Sequence, residues 1–114
     1  MQDSRLCIDF VIEEDGERTI NWKFQEMTYH QIREVCKRIV QSVRSGVSGI
    51  GNLVALEHYP EDEEMKVCVV FLPIVGAIQV AVNGISLFDA CILCDEVVWY
   101  IDHQILSGAN VTAN

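Results

Sequence analysis

The sequence predicts an α+β fold: a mostly antiparallel sheet of four to five strands with two helices packed on one face, in the order β-β-α-β-β-(β)-α. Three observations carry this. Two early runs alternate apolar and polar residues with a period of two, two later runs place apolar residues at 3–4 spacing, and turn-forming residues separate them.

Leu6, Ile8, Phe10 and Ile12 alternate with Cys7, Asp9 and Val11, so Arg5–Ile12 reads as a strand. Arg18–Phe24 alternates again through Ile20, Trp22 and Phe24, and Asp15-Gly16 between the runs marks a hairpin bend. Thr28 and Gln31 have capping-box spacing, which opens a helix at Tyr29. Ile32, Val35, Cys36, Ile39, Val40 and Val43 give it one apolar stripe to about Arg44, and Gly46 is a C-terminal stop. Ser45–Gly51 is rich in glycine and serine. It lacks the Gly-Lys-Ser/Thr ending of a P-loop and follows a helix rather than a strand, so it reads as a connector.

Leu53–Tyr59 reads as a strand, Pro60–Glu64 as a turn, and Lys66–Leu72 as a buried strand that Pro73 interrupts. Ala77–Val82 is a further strand ended by Asn83-Gly84. Ser86, with Asp89 three residues on, caps the second helix. Leu87, Cys91, Cys94, Val98, Ile101 and Ile105 form one stripe, and a second lies beside it: Phe88, Ile92 and Trp99, then Leu93, Val97 and Tyr100. One sheet face does not cover so wide an apolar surface, so this helix is either sandwiched between layers or shared with another subunit. Ser107-Gly108 ends it, and the last residues fray.

With 114 residues and two prolines, the chain (1–114) reads as one compact domain with one core. Half of its residues are hydrophobic, high for this size, which points to a homo-oligomer with Phe88, Ile92 and Trp99 at the interface. Five cysteines, Cys7, Cys36, Cys68, Cys91 and Cys94, sit mostly in apolar runs. An odd number so placed indicates buried free thiols in a reducing cytoplasm rather than a disulfide framework. Cys91 lies more than one turn inside its helix, so the Cys91-x-x-Cys94 spacing reads as core packing rather than a redox motif. The first residues lack the apolar region of a signal peptide, and the apolar stretch Val67–Ala81 is too interrupted to span a bilayer.

A formal net charge of −9 disfavours direct binding to nucleic acid or anionic membranes and steers the chain toward basic partners. Eight of the 17 carboxylates fall in two turns: Glu13, Glu14, Asp15 and Glu17 in one, Glu61, Asp62, Glu63 and Glu64 in the other. If both turns leave the same sheet end, they form a negative patch suited to a basic cleft. Otherwise they are solvated charges guarding strand edges. Against this background, Arg33, Lys37 and Arg44 line up with His30 and Gln41 on the polar side of the first helix, where they could hold an anionic ligand such as a nucleotide. Trp22, Phe71 or Trp99 could stack on its base.

No catalytic motif occurs, the three histidines are scattered, and neither acidic run has calcium-loop spacing, so no metal or other cofactor is expected. The reading that results is a small acidic binding protein that blocks or sequesters a basic partner, of inhibitor or immunity type. The alternative is a homo-oligomeric binder of a small anionic ligand.

Overall fold

The computed structural model describes residues 4–45, 54–72 and 76–106. Within them lie strands β1 (Ser4–Ile12) and β2 (Arg18–Gln25), helix α1 (Tyr29–Ser45), strands β3 (Val54–Tyr59), β4 (Lys66–Leu72) and β5 (Ala77–Asn83), and helix α2 (Leu87–Tyr100), which runs on as a π-helical segment over Ile101–Leu106. The element order and the α+β class are those expected. Gly46, most of the glycine-rich connector, Pro73 and the stop at Ser107-Gly108 lie outside the described residues.

Local chemistry explains most element boundaries. At the β1–β2 bend, Gly16 takes φ +84°, the Glu13 and Glu17 backbones pair at 2.8 Å, and the Asp15 carboxylate accepts from the Glu17 amide at 2.9 Å. Thr28 and Gln31 cap α1 reciprocally, the Thr28 amide donating to Gln31 Oε1 at 2.8 Å and the Gln31 amide to Thr28 Oγ1 at 3.2 Å. Ser86 Oγ accepts from the Asp89 amide at 3.0 Å and caps α2.

The five strands form one mixed sheet in the order β2-β1-β4-β5-β3. All neighbouring pairs are antiparallel except β3 with β5, which run parallel. The segment Pro60–Glu64 is therefore not a hairpin turn. β5 lies between β3 and β4, and the chain leaving Tyr59 steps across the end of β5 to reach Lys66. That crossing is held by Gly84 N donating to Tyr59 O (2.9 Å) and Phe10 N donating to Met65 O (2.9 Å). Gly84 sits beneath it at φ +71°, where a Cβ would collide with the Glu64 carbonyl oxygen and lie 2.9 Å from that of Asp62.

One sheet face, bearing Leu6, Ile8, Val54, Val67, Val69, Ile78, Val80 and Val82, packs against Ile32, Val35, Cys36 and Ile39 of α1 and Ala90, Leu93, Cys94 and Val97 of α2. The two helices pack side by side and antiparallel, with Arg33 of α1 reaching Asp102 at the far end and Arg44 reaching Asp95. Among the described residues, no element covers the opposite sheet face.

The crossing generates a stability prediction. Gly84→Ala should destabilise the protein by roughly 1–3 kcal/mol through its positive φ alone, and by more through the backbone collision. Gly16→Ala shares the positive φ but meets nothing within 4 Å. Urea denaturation should therefore rank Gly84→Ala well below Gly16→Ala, and equal midpoints would show that the crossing tolerates a Cβ.

Candidate functional site

Strand direction settles where the acidic turns lie. β1 ends at Ile12 opposite Arg18, so residues 13–17 project beyond that end. Asp9 pairs with Lys66, Lys66 with Asn83, and Asn83 with Tyr59, so residues 60–65 leave the sheet at the same end. Glu13, Glu14, Asp15, Glu17, Glu61, Asp62, Glu63 and Glu64 are all exposed there. Asp89, in the first turn of α2, joins them because that helix starts where β5 ends.

The eight carboxylates are not equivalent. Asp15 and Asp62 build the turns: each accepts from the amide two residues on, Glu17 N at 2.9 Å and Glu64 N at 3.0 Å. Glu64 accepts from Lys66 Nζ, which raises the ammonium pKa chiefly through that bond. Among the described residues, none of the hydrogen bonds or ion pairs engages the side chains of Glu13, Glu14, Glu17, Glu61 or Glu63. These five are the carboxylates the acidic end presents outward.

Beside this end, a groove opens between α2 and the β1–β2 edge. The helices cover the middle of the sheet and leave Phe10, Ile20 and Trp22 only half-buried and Ile12 51 % exposed. A hollow of about 680 Å³ lies here, with Phe10, Ile12, Ile20 and Met65 on the sheet side and Asp89, Ile92, Leu93 and Glu96 on α2. Arg18 lies on the opposite wall, its guanidinium 5.8 Å from the Phe10 ring centre, a cation–π contact. His58 donates from Nε2 to the Ile85 carbonyl at 2.8 Å, tying the β3 end to the loop before α2. The groove continues past Ile20 and Glu96 into a second hollow floored by aromatic rings. Trp22 meets Phe24, Tyr29 and Tyr100 at centroid distances of 5.8, 6.2 and 6.1 Å.

Sequence reasoning located the acidic turns but missed the groove. Its signal was present: Asp89, Ile92, Leu93 and Glu96 follow helical 3–4 spacing, and Phe10, Ile20 and Trp22 share one strand face. No local pattern says which strands a helix leaves uncovered.

Phe88, Ile92 and Trp99 lie exposed along α2 (74 %, 41 % and 54 %), with the Trp99 ring stacked on His103 at 4.7 Å. The helix is thus not sandwiched between layers: Ala90, Cys91, Leu93, Cys94 and Val97 form its buried face, so the second apolar stripe is split, with Leu93 and Val97 in the core and Phe88, Ile92, Trp99 and Tyr100 outward.

The basic residues of α1 occupy the seam between the helices. Arg33 Nε donates to Asp102 Oδ1 at 2.6 Å, and Arg44 Nη2 donates to Asp95 Oδ2 at 3.2 Å. Lys37 and Arg44 flank a shallow hollow of about 600 Å³ that Asp95 also lines. Cys36, Cys91 and Cys94 are core thiols. Hydrogen bonding to Cys36 and burial hold Cys94 well above the usual thiol range, and burial raises Cys91. Among the described residues, no three His, Cys, Asp or Glu side chains converge as a metal set, and no helix is long and apolar enough to cross a membrane.

No protein-family model, curated protein or solved structure matches this chain.

The seam has a pH signature. The hydrogen bond from Arg33 holds the Asp102 carboxyl below its ordinary 3.8. A carboxyl depressed in the folded state stabilises above its unfolded value, and the contribution fades as pH falls through the lower folded value. Arg33→Gln should return Asp102 toward 3.8, read by NMR titration of the carboxyl carbon. An unmoved titration would mean the pair is not formed in solution.

Proposed function

We propose that this chain is a small acidic binding protein that covers a cationic surface on a partner protein, as an inhibitor or immunity factor does. One observation carries the reading: two acidic turns far apart in sequence leave the same sheet end, next to an apolar groove with Asp89 and Glu96 on its wall. Charge gathered at one end raises the encounter rate with a basic surface, and an adjoining apolar pocket supplies what surface charge alone does not, a desolvated anchor point.

The competing reading, capture of a small anionic ligand by Arg33, Lys37 and Arg44, has less support. Arg33 and Arg44 each already hold a carboxylate of the same chain, which an anion would have to displace. A self-association surface fits α2 better. Burying a side chain as large as Phe contributes about 1.5–3 kcal/mol, and Phe88 and Trp99 offer more than half of their surface.

The acidic-end reading is tested with a lysine-rich amphipathic peptide as probe. The variant Glu13→Gln, Glu14→Gln, Glu17→Gln, Glu61→Gln, Glu63→Gln leaves the turn-building Asp15 and Asp62 in place. It should bind on the order of tenfold or more weakly, a loss of at least about 1.4 kcal/mol, and with a flatter salt dependence. Glu26→Gln with Glu34→Gln, away from this end, should lose much less per charge removed. Equal loss per charge would reduce the effect to net charge and remove the site.

Self-association is tested separately. Sedimentation velocity should find the unaltered chain as an oligomer and Phe88→Asp with Trp99→Asp as a monomer of unchanged circular dichroism. A monomeric unaltered chain would remove the α2 interface.

A further inference from the structure

Cys7 and Cys68 stand 61 positions apart in sequence yet face each other across β1 and β4. They are direct partners in the antiparallel register, with their sulfurs 3.1 Å apart. Both belong to the sheet face that no helix covers among the described residues, and both are only half-buried, unlike Cys36, Cys91 and Cys94. We propose that Cys7 and Cys68 form a cross-strand disulfide site that a small disulfide oxidant such as oxidised glutathione closes and a dithiol reopens.

The geometry supports closure without rearranging the sheet. Directly opposed residues of an antiparallel pair have Cα atoms roughly 4.5–5.5 Å apart, inside the span a disulfide bridges. The sulfurs are already in contact, so bond formation asks for side-chain rotation and a small approach rather than strand movement. Partial exposure on the helix-free face gives the oxidant access that the three core thiols lack.

Contact between the two thiols lets closure run in two steps. Burial, followed by the hydrogen bond with Cys7, pushes the Cys68 thiol up to about 12. One thiol of the pair, as its thiolate, attacks one sulfur of oxidised glutathione, forming a mixed disulfide and releasing one glutathione thiolate. Its partner then loses its proton and attacks the protein sulfur of that mixed disulfide, releasing the second glutathione. One disulfide is reduced to two thiols and two protein thiols are oxidised to one disulfide, so electrons and protons balance. Proximity favours the second step, because the facing thiol is already in contact and needs no further encounter.

Full-length reduced protein is incubated natively with oxidised glutathione, then unfolded, alkylated and weighed. The expected product has lost two hydrogens and takes up three alkyl groups instead of the five its cysteines allow, with a Cys7–Cys68 cross-link in the peptide map. Dithiothreitol restores all five. In the Cys68→Ser variant, Cys7 should stop as the glutathione adduct, because no resolving thiol faces it. An unaltered chain that keeps five alkylatable thiols, halts at a stable adduct, or maps its cross-link to Cys36, Cys91 or Cys94 would overturn the proposal.

Discussion

The placement of β5 between β3 and β4 is the constraint on which the rest of this molecule depends. Because β3 and β5 run parallel, the chain leaving Tyr59 has no neighbouring partner strand to turn into. It must cross the end of β5 before it can descend as β4. Gly84 is the residue under that crossing, and its missing side chain is what lets the Asp62–Glu64 backbone lie so close. The Phe10–Met65 backbone bond then ties the crossing to β1. Three things are brought to one end of the sheet as a result: the crossing itself, the β1–β2 bend, and the start of α2. The acidic end and the mouth of the groove follow from connectivity.

Gathering so many carboxylates at one end has an electrostatic cost, and the chain offsets only part of it. Lys66 pairs with Glu64, and Asp15 and Asp62 are absorbed into their turns. The five outward glutamates are left to solvent, where mutual repulsion is screened over about 8–10 Å at ordinary ionic strength. Solvation alone would be met equally well by carboxylates scattered over the surface. Along the helix seam, by contrast, Arg33 and Arg44 are set against Asp102 and Asp95. Among the described residues, five unpaired glutamates thus stand together where the groove opens, the grouping on which the proposed binding role rests.

Much of the fold was legible from local patterns. The alternation from Leu6 to Ile12, the Asp15-Gly16 bend, the Thr28–Gln31 box and the Ser86 cap each specify a boundary within a few residues of themselves, and all four stand as read. The crossing over β5 was not legible, because Pro60–Glu64 has the composition of a hairpin turn whether or not a strand is inserted later. The same blindness hid the Arg33–Asp102 and Arg44–Asp95 pairs, which turned an apparent ligand face into a helix seam. It also hid the facing of Cys7 and Cys68: each lies in an apolar run, but register alone decides that they oppose each other on the uncovered face. The excess apolar surface of α2 was visible as two adjacent stripes, and the choice between burial and exposure needed the sheet order.

The two faces of the sheet separate two kinds of chemistry. On the helix side, the sheet is wider than the helices that cover it, and the uncovered β1–β2 margin becomes a groove with aromatic and aliphatic walls. On the bare side, the middle of the sheet carries a thiol pair flanked by Lys23, Asp9 and Lys66 in neighbouring register positions. A bond between Cys7 and Cys68 would join β1 to β4. From the same ends of these two strands leave the β1–β2 bend and the crossing segment, already linked by one backbone hydrogen bond at Phe10. The thiol pair lies two register positions from Asp9 and Lys66, so its closure would brace the strands behind the acidic end without touching the glutamates that face outward. Stiffening behind a charged surface lowers the ordering cost of docking and leaves its charge unaltered. Closure on the bare face would in this way reach the acidic end through the strands the two share.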